Sequence, residues 1–324
     1  MTTFLKQIQN SFKSLGRAYS KSSMWCQILL FIALLLILIL VFKGLNKKKK
    51  KEGFTEGVGS ESDKFLFKTG PEIYDDFYAD IYDYLVFNNL KDDYEVGEII
   101  NKTTPSDKSK ILDVGCGTGH HVAALGAKGL DVLGIDISPS MIAKAKENFP
   151  EYKFEVGDAL DGMQFNPDTF THILCMYFTV YYMKDRQTFF NNCYKWLMPG
   201  GYFIIHLVDR HNFDPILPPG NPLLYVSPQR YAKQRITSTK VKFTDFSYSA
   251  NFELDDKNDK AKFVEKIKND DDGKVRKHEH IMYMPDEQVI VDEIISCGFF
   301  MEAKADLLQC QYEYQYLYTF VKPQ

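Results

Sequence analysis

The sequence predicts an α/β domain in which seven mostly parallel strands form one doubly wound sheet, preceded by an N-terminal transmembrane helix. Two observations predict the sheet. Short apolar runs alternate with helical segments from about residue 110, and several of these runs end in Gly or Asp. A block with a period of two follows between residues 241 and 284, which indicates an antiparallel meander inserted into the domain.

The transmembrane helix is predicted over residues 24–42, where Gln27 is the one polar side chain. Nineteen residues in a helix rise roughly 28 Å, which matches one hydrocarbon core. A cleaved signal peptide is the alternative, but it would have a shorter apolar region and a small-residue cleavage site, whereas Lys43 and a lysine run follow here. The chain therefore divides into a basic tail (1–23), the span (24–42), a linker rich in Lys, Gly and Ser (43–70) and the α/β domain (71–324).

Charge is distributed unevenly along the chain. Residues 1–51 hold ten of the 39 basic residues and none of the 43 acidic ones, so the rest carries a net charge of −14 within a total of −4. The lysines after the span predict a single-pass protein whose domain faces the cytoplasm, with residues 47–51 against anionic headgroups. The acidic domain disfavours nucleic acid as a partner, because binding to a phosphate backbone relies on basic surface.

Strands and helices of the sheet can be assigned in chain order. The strands contain KILDVG, DVLGID, YKFEVGD, THILCMY and YFIIHLV, followed by two final strands at 299–306 and 314–321. The helices are expected at 73–88, 94–101, 119–128, 139–148, 186–197 and 285–297. Ser138 before Pro139 is a typical helix N-cap signal. Right-handed crossovers bring the carboxyl ends of parallel strands to one edge, so a ligand is expected there.

The meander is predicted from three alternating segments, VKFTDFSYSANFEL, KAKFVEKIK and VRKHEHIMYM. The last two are separated by residues 269–273, and the step from Asp272 to Gly273 is a strong hairpin signal. Because this insertion, at about 210–284, follows the fifth strand, we expect it to form a lid over the ligand edge of the sheet.

Glycines and acids occupy the ends of the first three strands. Gly115, Gly117 and Gly119 follow Asp113, and glycines at such a turn let the backbone approach a ligand closely. A dinucleotide fingerprint places its third glycine one residue later, so the spacing disfavours a nucleotide-binding oxidoreductase. Asp136 ends the second strand, where a carboxylate can accept both hydroxyls of a ribose. Asp158 follows the third strand and could meet an adenine amino group.

Five motifs together resemble the class I S-adenosylmethionine-dependent methyltransferases. The motifs are ILDVGCGTG, GIDISPSMI, VGDA, FTHILCMYFTVYYM and WLMPGGYFII, and they occur in that family's order over residues 110–206. The segment YADIYD at 78–83 is similar to the helix that covers the cofactor in small-molecule members, and the meander is similar to their lid. The resemblance implies a Rossmann-like fold, methyltransferase activity and S-adenosylmethionine as cofactor.

The resemblance also implies roles for individual residues. By this resemblance, the methionine part of the cofactor would contact Gly115, Gly117 and Gly119, and Asp113 would orient this turn. The ribose would contact Asp136, and the adenine would contact Ile137, Met141, Asp158 and Ala159. The sulfonium would contact Met176 and Tyr177. Tyr82 or Tyr78 would close over the cofactor.

Candidate catalytic groups lie near the ends of the fourth and fifth strands. Tyr177, Tyr181 or Tyr182 could hold an acceptor amine or carboxylate, and His206 could accept a proton, although each could equally pack in the core. No motif of base-methylating enzymes is present, so we expect a small-molecule or lipid-like acceptor with a nitrogen or oxygen nucleophile. The alternative is a catalytically inactive scaffold at the membrane. The six scattered cysteines show no zinc-ligand spacing, and no metal is predicted.

Overall fold

A computed structural model describes residues 25, 65–216 and 228–324 of the chain. Apart from Trp25, these residues belong to one compact unit that spans residues 61–324. The predicted basic tail, the rest of the predicted span and the linker up to residue 64 lie outside the described residues. None of the helices that the structure describes is both long enough and apolar enough to cross a bilayer.

Twelve strands and six α-helices form the described part of the domain. The strands are β1 (Phe65–Thr69), β2 (Lys110–Val114), β3 (Asp131–Asp136), β4 (Lys153–Val156), β5 (Phe170–Cys175), β6 (Leu197–Val208), β7 (Ser238–Lys242), β8 (Phe246–Asp255), β9 (Lys260–Asn269), β10 (Val275–Tyr283), β11 (Phe300–Asp306) and β12 (Gln315–Val321). The helices are α1 (Asp76–Val86), α2 (Asn89–Thr103), α3 (His120–Gly126), α4 (Pro139–Asn148), α5 (Arg186–Trp196) and α6 (Glu287–Ser296).

The larger sheet has the strand order β11, β12, β6, β5, β2, β3, β4. The strands from β6 to β4 are parallel, whereas β12 is antiparallel to both of its neighbours. The predicted seven-stranded, mostly parallel sheet is therefore confirmed. The chain turns to opposite sides of β2 to form β3 and β5, and a ligand site is expected at the carboxyl ends of strands beside such a switch point.

The smaller sheet has the order β1, β10, β9, β8, β7, and its last four strands form the predicted antiparallel meander. The segment predicted as one strand from residue 241 is instead the hairpin of β7 and β8, which turns where the Phe243 amide donates to the Phe246 carbonyl at 2.9 Å. Strand β1 lies within the predicted linker and pairs in parallel with β10. Its partner is about 200 residues away in the chain, so no local pattern reveals the pairing.

Helix α1 joins the two sheets above the carboxyl ends of the parallel strands. Its N-cap is Asp75, whose side chain accepts a hydrogen bond from the Tyr78 amide at 3.0 Å. The apolar face of α1 includes Ile81 and packs with Tyr248 and Ile267 of the meander in one buried cluster. The helix and the meander thus close a space above the sheet edge where the site was predicted.

Candidate active site

A cavity of about 700 Å³ lies at the carboxyl ends of the parallel strands. Its sheet wall contains most of the predicted cofactor residues, namely Asp113, Gly115, Gly117, Asp136, Ile137, Met141, Asp158, Ala159, Met176 and Tyr177. Its opposite wall comes from α1 and the meander and includes Tyr78, Tyr82, Tyr248, Phe252, Phe263, Glu265 and His280. Of the residues predicted to contact the cofactor, Gly119 is the one that does not line the cavity.

The glycine turn after β2 is packed closely against neighbouring side chains. Gly115 has a φ of +71°, and a Cβ atom there would lie 2.4 Å from Cγ2 of Thr179. Gly119 has a φ of +93°, and its Cβ would lie 2.7 Å from the ring of Phe154. Glycine is therefore required at both positions, because only glycine adopts this backbone conformation without strain and leaves room for the neighbouring side chains.

Asp136 connects this turn to helix α4. Its two carboxylate oxygens accept hydrogen bonds from the amides of Gly117, at 3.1 Å, and Ser138, at 2.9 Å. Burial raises the pKa of Asp136, and the two amide donors oppose that shift. A carboxylate offers about four lone-pair sites, so two remain for hydroxyl donors of a ligand in the cavity.

Asp113 is a buried acid whose two carboxylate oxygens have no hydrogen-bond partner within the protein. Burial raises its pKa to about 7, an effect that His121 opposes and the charge of Asp136 reinforces. An unpartnered buried carboxylate is costly, and a ligand that brings hydrogen-bond donors to the cavity would relieve this cost. Asp113 and the glycine turn therefore fit the methionine part of S-adenosylmethionine, as the resemblance implies.

Helix α1 covers the turn from above. A Cβ atom on Gly117 would lie 3.7 Å from the ring of Tyr82 and 3.6 Å from the Met141 side chain. The Thr118 hydroxyl donates to Asp83 of the same helix at 2.6 Å, and this bond fixes α1 to the turn. The structure thus brings the Tyr82 ring close to the glycine turn.

The three predicted catalytic residues differ in their placement. Tyr177 lines the cavity and has an uncommon φ of +52°, with the ammonium of Lys91 5.1 Å from its ring centroid. Tyr181 lies in the core, where its hydroxyl accepts a hydrogen bond from the Val208 amide at 2.9 Å. His206 is buried behind the cavity wall and donates through Nδ1 to the Tyr177 carbonyl at 2.7 Å.

Burial, reinforced by the positive charge of Lys91, lowers the pKa of His206 to about 4, so its imidazole is neutral at pH 7. Neither Tyr181 nor His206 lines the cavity. The geometry therefore favours Tyr177 as the residue that reaches a ligand, with His206 holding the Tyr177 backbone in place.

Two carboxylate–histidine groups escaped the sequence analysis. Asp92, Glu95 and His121 form one, and Glu265, His278 and His280 form the other; within each group the candidate metal-ligand atoms lie within 4.8 Å of one another. The register of the β9–β10 hairpin could have revealed the second group. His278 and His280 are two residues apart and so lie on the same face of β10, and Glu265 of β9 pairs with His278.

In the first group the charges are already balanced. The Lys91 ammonium lies 2.7 Å from Glu95 Oε2, and His121 Nε2 lies 2.9 Å from the same oxygen. Burial opposes the charge of His121, but the hydrogen bond to Glu95 and nearby acids raise its pKa to about 9. Glu95 therefore has two cationic partners, and this group needs no metal ion.

Comparisons with known proteins agree with this geometry. Residues 111–201 match the family model of a methyltransferase domain. Over 145 residues the chain is 32% identical to dTDP-4-amino-2,3,4,6-tetradeoxy-D-glucose N,N-dimethyltransferase of Saccharopolyspora spinosa, covering 43% of this chain and 57% of that protein. Over 113 residues it is 34% identical to phosphoethanolamine N-methyltransferase 1 of Zea mays, covering 33% and 22%. The alignments thus span less than two thirds of either relative.

Among solved structures, the fold is similar to that of S-adenosylmethionine-bound CalS10, an amino pentose methyltransferase from Micromonospora echinaspora. The TM-score is 0.54 at 15% identity, covering 83% of this chain and all of the other. The family model thus confirms the predicted methyltransferase domain over residues 111–201, and the predicted fold is that of a solved S-adenosylmethionine-bound methyltransferase.

Proposed function

We propose that this chain transfers a methyl group from S-adenosylmethionine to the nitrogen of a small amine. The observation that carries the proposal is the two-walled cavity. The wall with Asp113, Gly115 and Asp136 has the shape and polar groups that suit the cofactor, and the wall from α1 and the meander is largely aromatic. The relatives named above are N-methyltransferases of an amino sugar and of phosphoethanolamine, which supports an amine acceptor.

The chain's own residues act mainly by positioning. S-adenosylmethionine supplies an electrophilic methyl group, and in-line transfer depends on holding donor and acceptor in a reactive geometry. Asp136 and the glycine turn orient the cofactor, while Tyr82 and Tyr177 border the space where the acceptor would lie. Helix α1 and the meander cover this space, which limits its contact with bulk water.

The aromatic wall supports an amine more than a neutral acceptor. Several tyrosines of this wall and its surroundings line the cavity, among them Tyr74, Tyr78, Tyr82, Tyr182 and Tyr248. Faces of aromatic rings attract ammonium groups, including methylated ones, by about 0.5–2 kcal/mol each. The net charge of −14 outside the N-terminal segment disfavours polyanionic acceptors.

A direct test incubates the full chain with S-adenosylmethionine and one of four probes: phosphoethanolamine, a dTDP-linked amino sugar, a catechol and a short RNA. We expect S-adenosylhomocysteine and an N-methylated product with at least one amine probe, and no product with RNA, as measured by mass spectrometry. The Asp136→Ala chain serves as the inactive control. Tight cofactor binding without methylation of either amine probe, or of any amine in a membrane extract, would favour the scaffold alternative.

We also propose that residues 24–42 anchor the chain in a membrane with the domain on the cytoplasmic side. The apolar run and the lysines that follow it support this proposal. The full chain should stay in the membrane pellet after alkaline carbonate extraction, whereas a chain that begins at residue 61 should be released. Added protease should digest the domain from sealed inside-out vesicles. Release of the full chain by carbonate would contradict the anchor.

A further inference from the structure

We propose that Glu265, His278 and His280 bind one divalent transition-metal ion on the meander wall of the cavity. This inference concerns a different group of residues from the cofactor wall and does not require that the acceptor be an amine. We refer to these three residues as the meander triad.

The strand register brings the meander triad together. Strands β9 and β10 are antiparallel neighbours, and Glu265 pairs directly with His278. His280 follows two positions later on β10, and residues two apart project from the same face of a strand. As a result, His280 Nε2 lies 2.8 Å from Glu265 Oε2, and His278 Nδ1 lies 3.5 Å from the same oxygen.

His278 is the observation that points to a ligand. Its side chain has no exposed surface, and neither ring nitrogen has a hydrogen-bond partner within the protein. Buried polar atoms without partners are rare, because their desolvation is uncompensated. A metal ion beside the Glu265 carboxylate would use the free Nδ1 lone pair.

The charge of Glu265 supports the same inference. Its carboxylate is buried, and within the described residues its ion-pair partners are the two histidines of the triad rather than a lysine or arginine. Buried charges in proteins are paired or coordinate metals. The Asp92–Glu95–His121 group differs on this point, since Lys91 lies against Glu95.

Neighbouring tyrosine hydroxyls form hydrogen bonds to the meander triad, as second-layer groups usually do to metal ligands. The hydroxyls of Tyr78 and Tyr248 donate to the two oxygens of Glu265 at 2.9 and 2.5 Å. His280 Nδ1 lies 3.0 Å from the Tyr182 hydroxyl, so with Nε2 on the ion it would donate that Nδ1 proton to Tyr182. Such partners fix the orientation of the ligand side chains.

The donor set indicates the class of ion. Two imidazoles and one carboxylate suit Zn²⁺, Fe²⁺ or Co²⁺, whereas Mg²⁺ and Ca²⁺ prefer oxygen ligands alone. Because Glu265 and His280 line the cavity, the remaining coordination positions would face it. A bound ion would therefore be accessible to water or to an acceptor molecule in the cavity.

The test is zinc binding by the full chain after treatment with a chelator. Calorimetry with ZnCl₂ and elemental analysis should show one tightly bound equivalent, with micromolar or lower Kd. His278→Gln and Glu265→Gln should each weaken this binding at least 100-fold. His121→Gln removes a histidine of the Asp92–Glu95–His121 group and should keep the equivalent, which makes it the matched control.

Two further measurements keep the result decisive. Zn²⁺ should raise the unfolding temperature of the wild-type chain but not that of Glu265→Gln. If a variant does not fold, titration of the wild type with Co²⁺ tests the proposal, and an absorption spectrum identical to that of free Co²⁺ overturns it. No zinc equivalent in the wild type, or undiminished binding in folded His278→Gln, overturns it as well. Cofactor calorimetry on the same samples separates this outcome from failure of the proposed function.

Discussion

Replacement of Asp136 by alanine is expected to weaken binding of S-adenosylmethionine at least about 100-fold. Two effects add. The variant loses the carboxylate that would accept the ribose hydroxyls, and charged hydrogen bonds of this kind contribute about 1.5–3 kcal/mol each. It also loses the acceptor for the Gly117 and Ser138 amides, so the turn is no longer fixed to α4. Calorimetry with S-adenosylmethionine and S-adenosylhomocysteine should show the same loss, since both carry the ribose.

Asp131 provides the matched control for this experiment. It begins strand β3, whereas Asp136 ends it, and its carboxylate forms an exposed ion pair with Lys153 at 2.7 Å. Exposed pairs contribute about 0–1 kcal/mol, so Asp131→Ala should bind the cofactor like the wild type. Asp136→Asn should bind with intermediate affinity, because its amide keeps one acceptor oxygen. A folded Asp136→Ala chain with a Kd within threefold of the wild type would contradict the assigned role.

The cofactor wall could be predicted because its determinants are local in sequence. Three of the parallel strands have an acid at or near their carboxyl ends, namely Asp113, Asp136 and Asp158, and the crossover rule places these ends at one edge. The structure brings these three acids to one cavity. Short-range patterns together with one topological rule were therefore sufficient to predict that these three acids lie at the same edge of the sheet.

The opposite wall could not be predicted in the same way. It depends on the pairing of β9 with β10 and on how the meander meets α1, and both are contacts between distant segments. The sequence also cannot distinguish two adjacent tyrosines in a tight turn. In the 3-10 turn Thr179–Tyr182, Tyr181 faces the core and Tyr182 faces the cavity, because neighbouring residues point in different directions.

Gly115→Ala is expected to lower the free energy of unfolding by about 2–4 kcal/mol and to abolish cofactor binding. An alanine at a φ of +71° is strained by itself, and its Cβ would overlap the Thr179 side chain, 2.4 Å from Cγ2. The turn must then move away from the position in which its backbone faces the cavity. Urea denaturation, monitored by tryptophan fluorescence, measures the change in the free energy of unfolding, because Trp196 is fully buried in the core.

Gly97→Ala is the matched control, since Gly97 lies within α2 and a Cβ atom there would have no neighbour within 4 Å. Alanine in a helix interior should stabilise the chain by about 0.5–1 kcal/mol and leave cofactor binding unchanged. Thr179→Ala added to Gly115→Ala separates the two causes, because it removes Cγ2 and Oγ1 but not the backbone strain. A partial recovery of stability in the double variant is expected, and the coupling energy between the sites measures the steric contribution. Equal stability of Gly115→Ala and Gly97→Ala would show that the turn is not held as the structure describes.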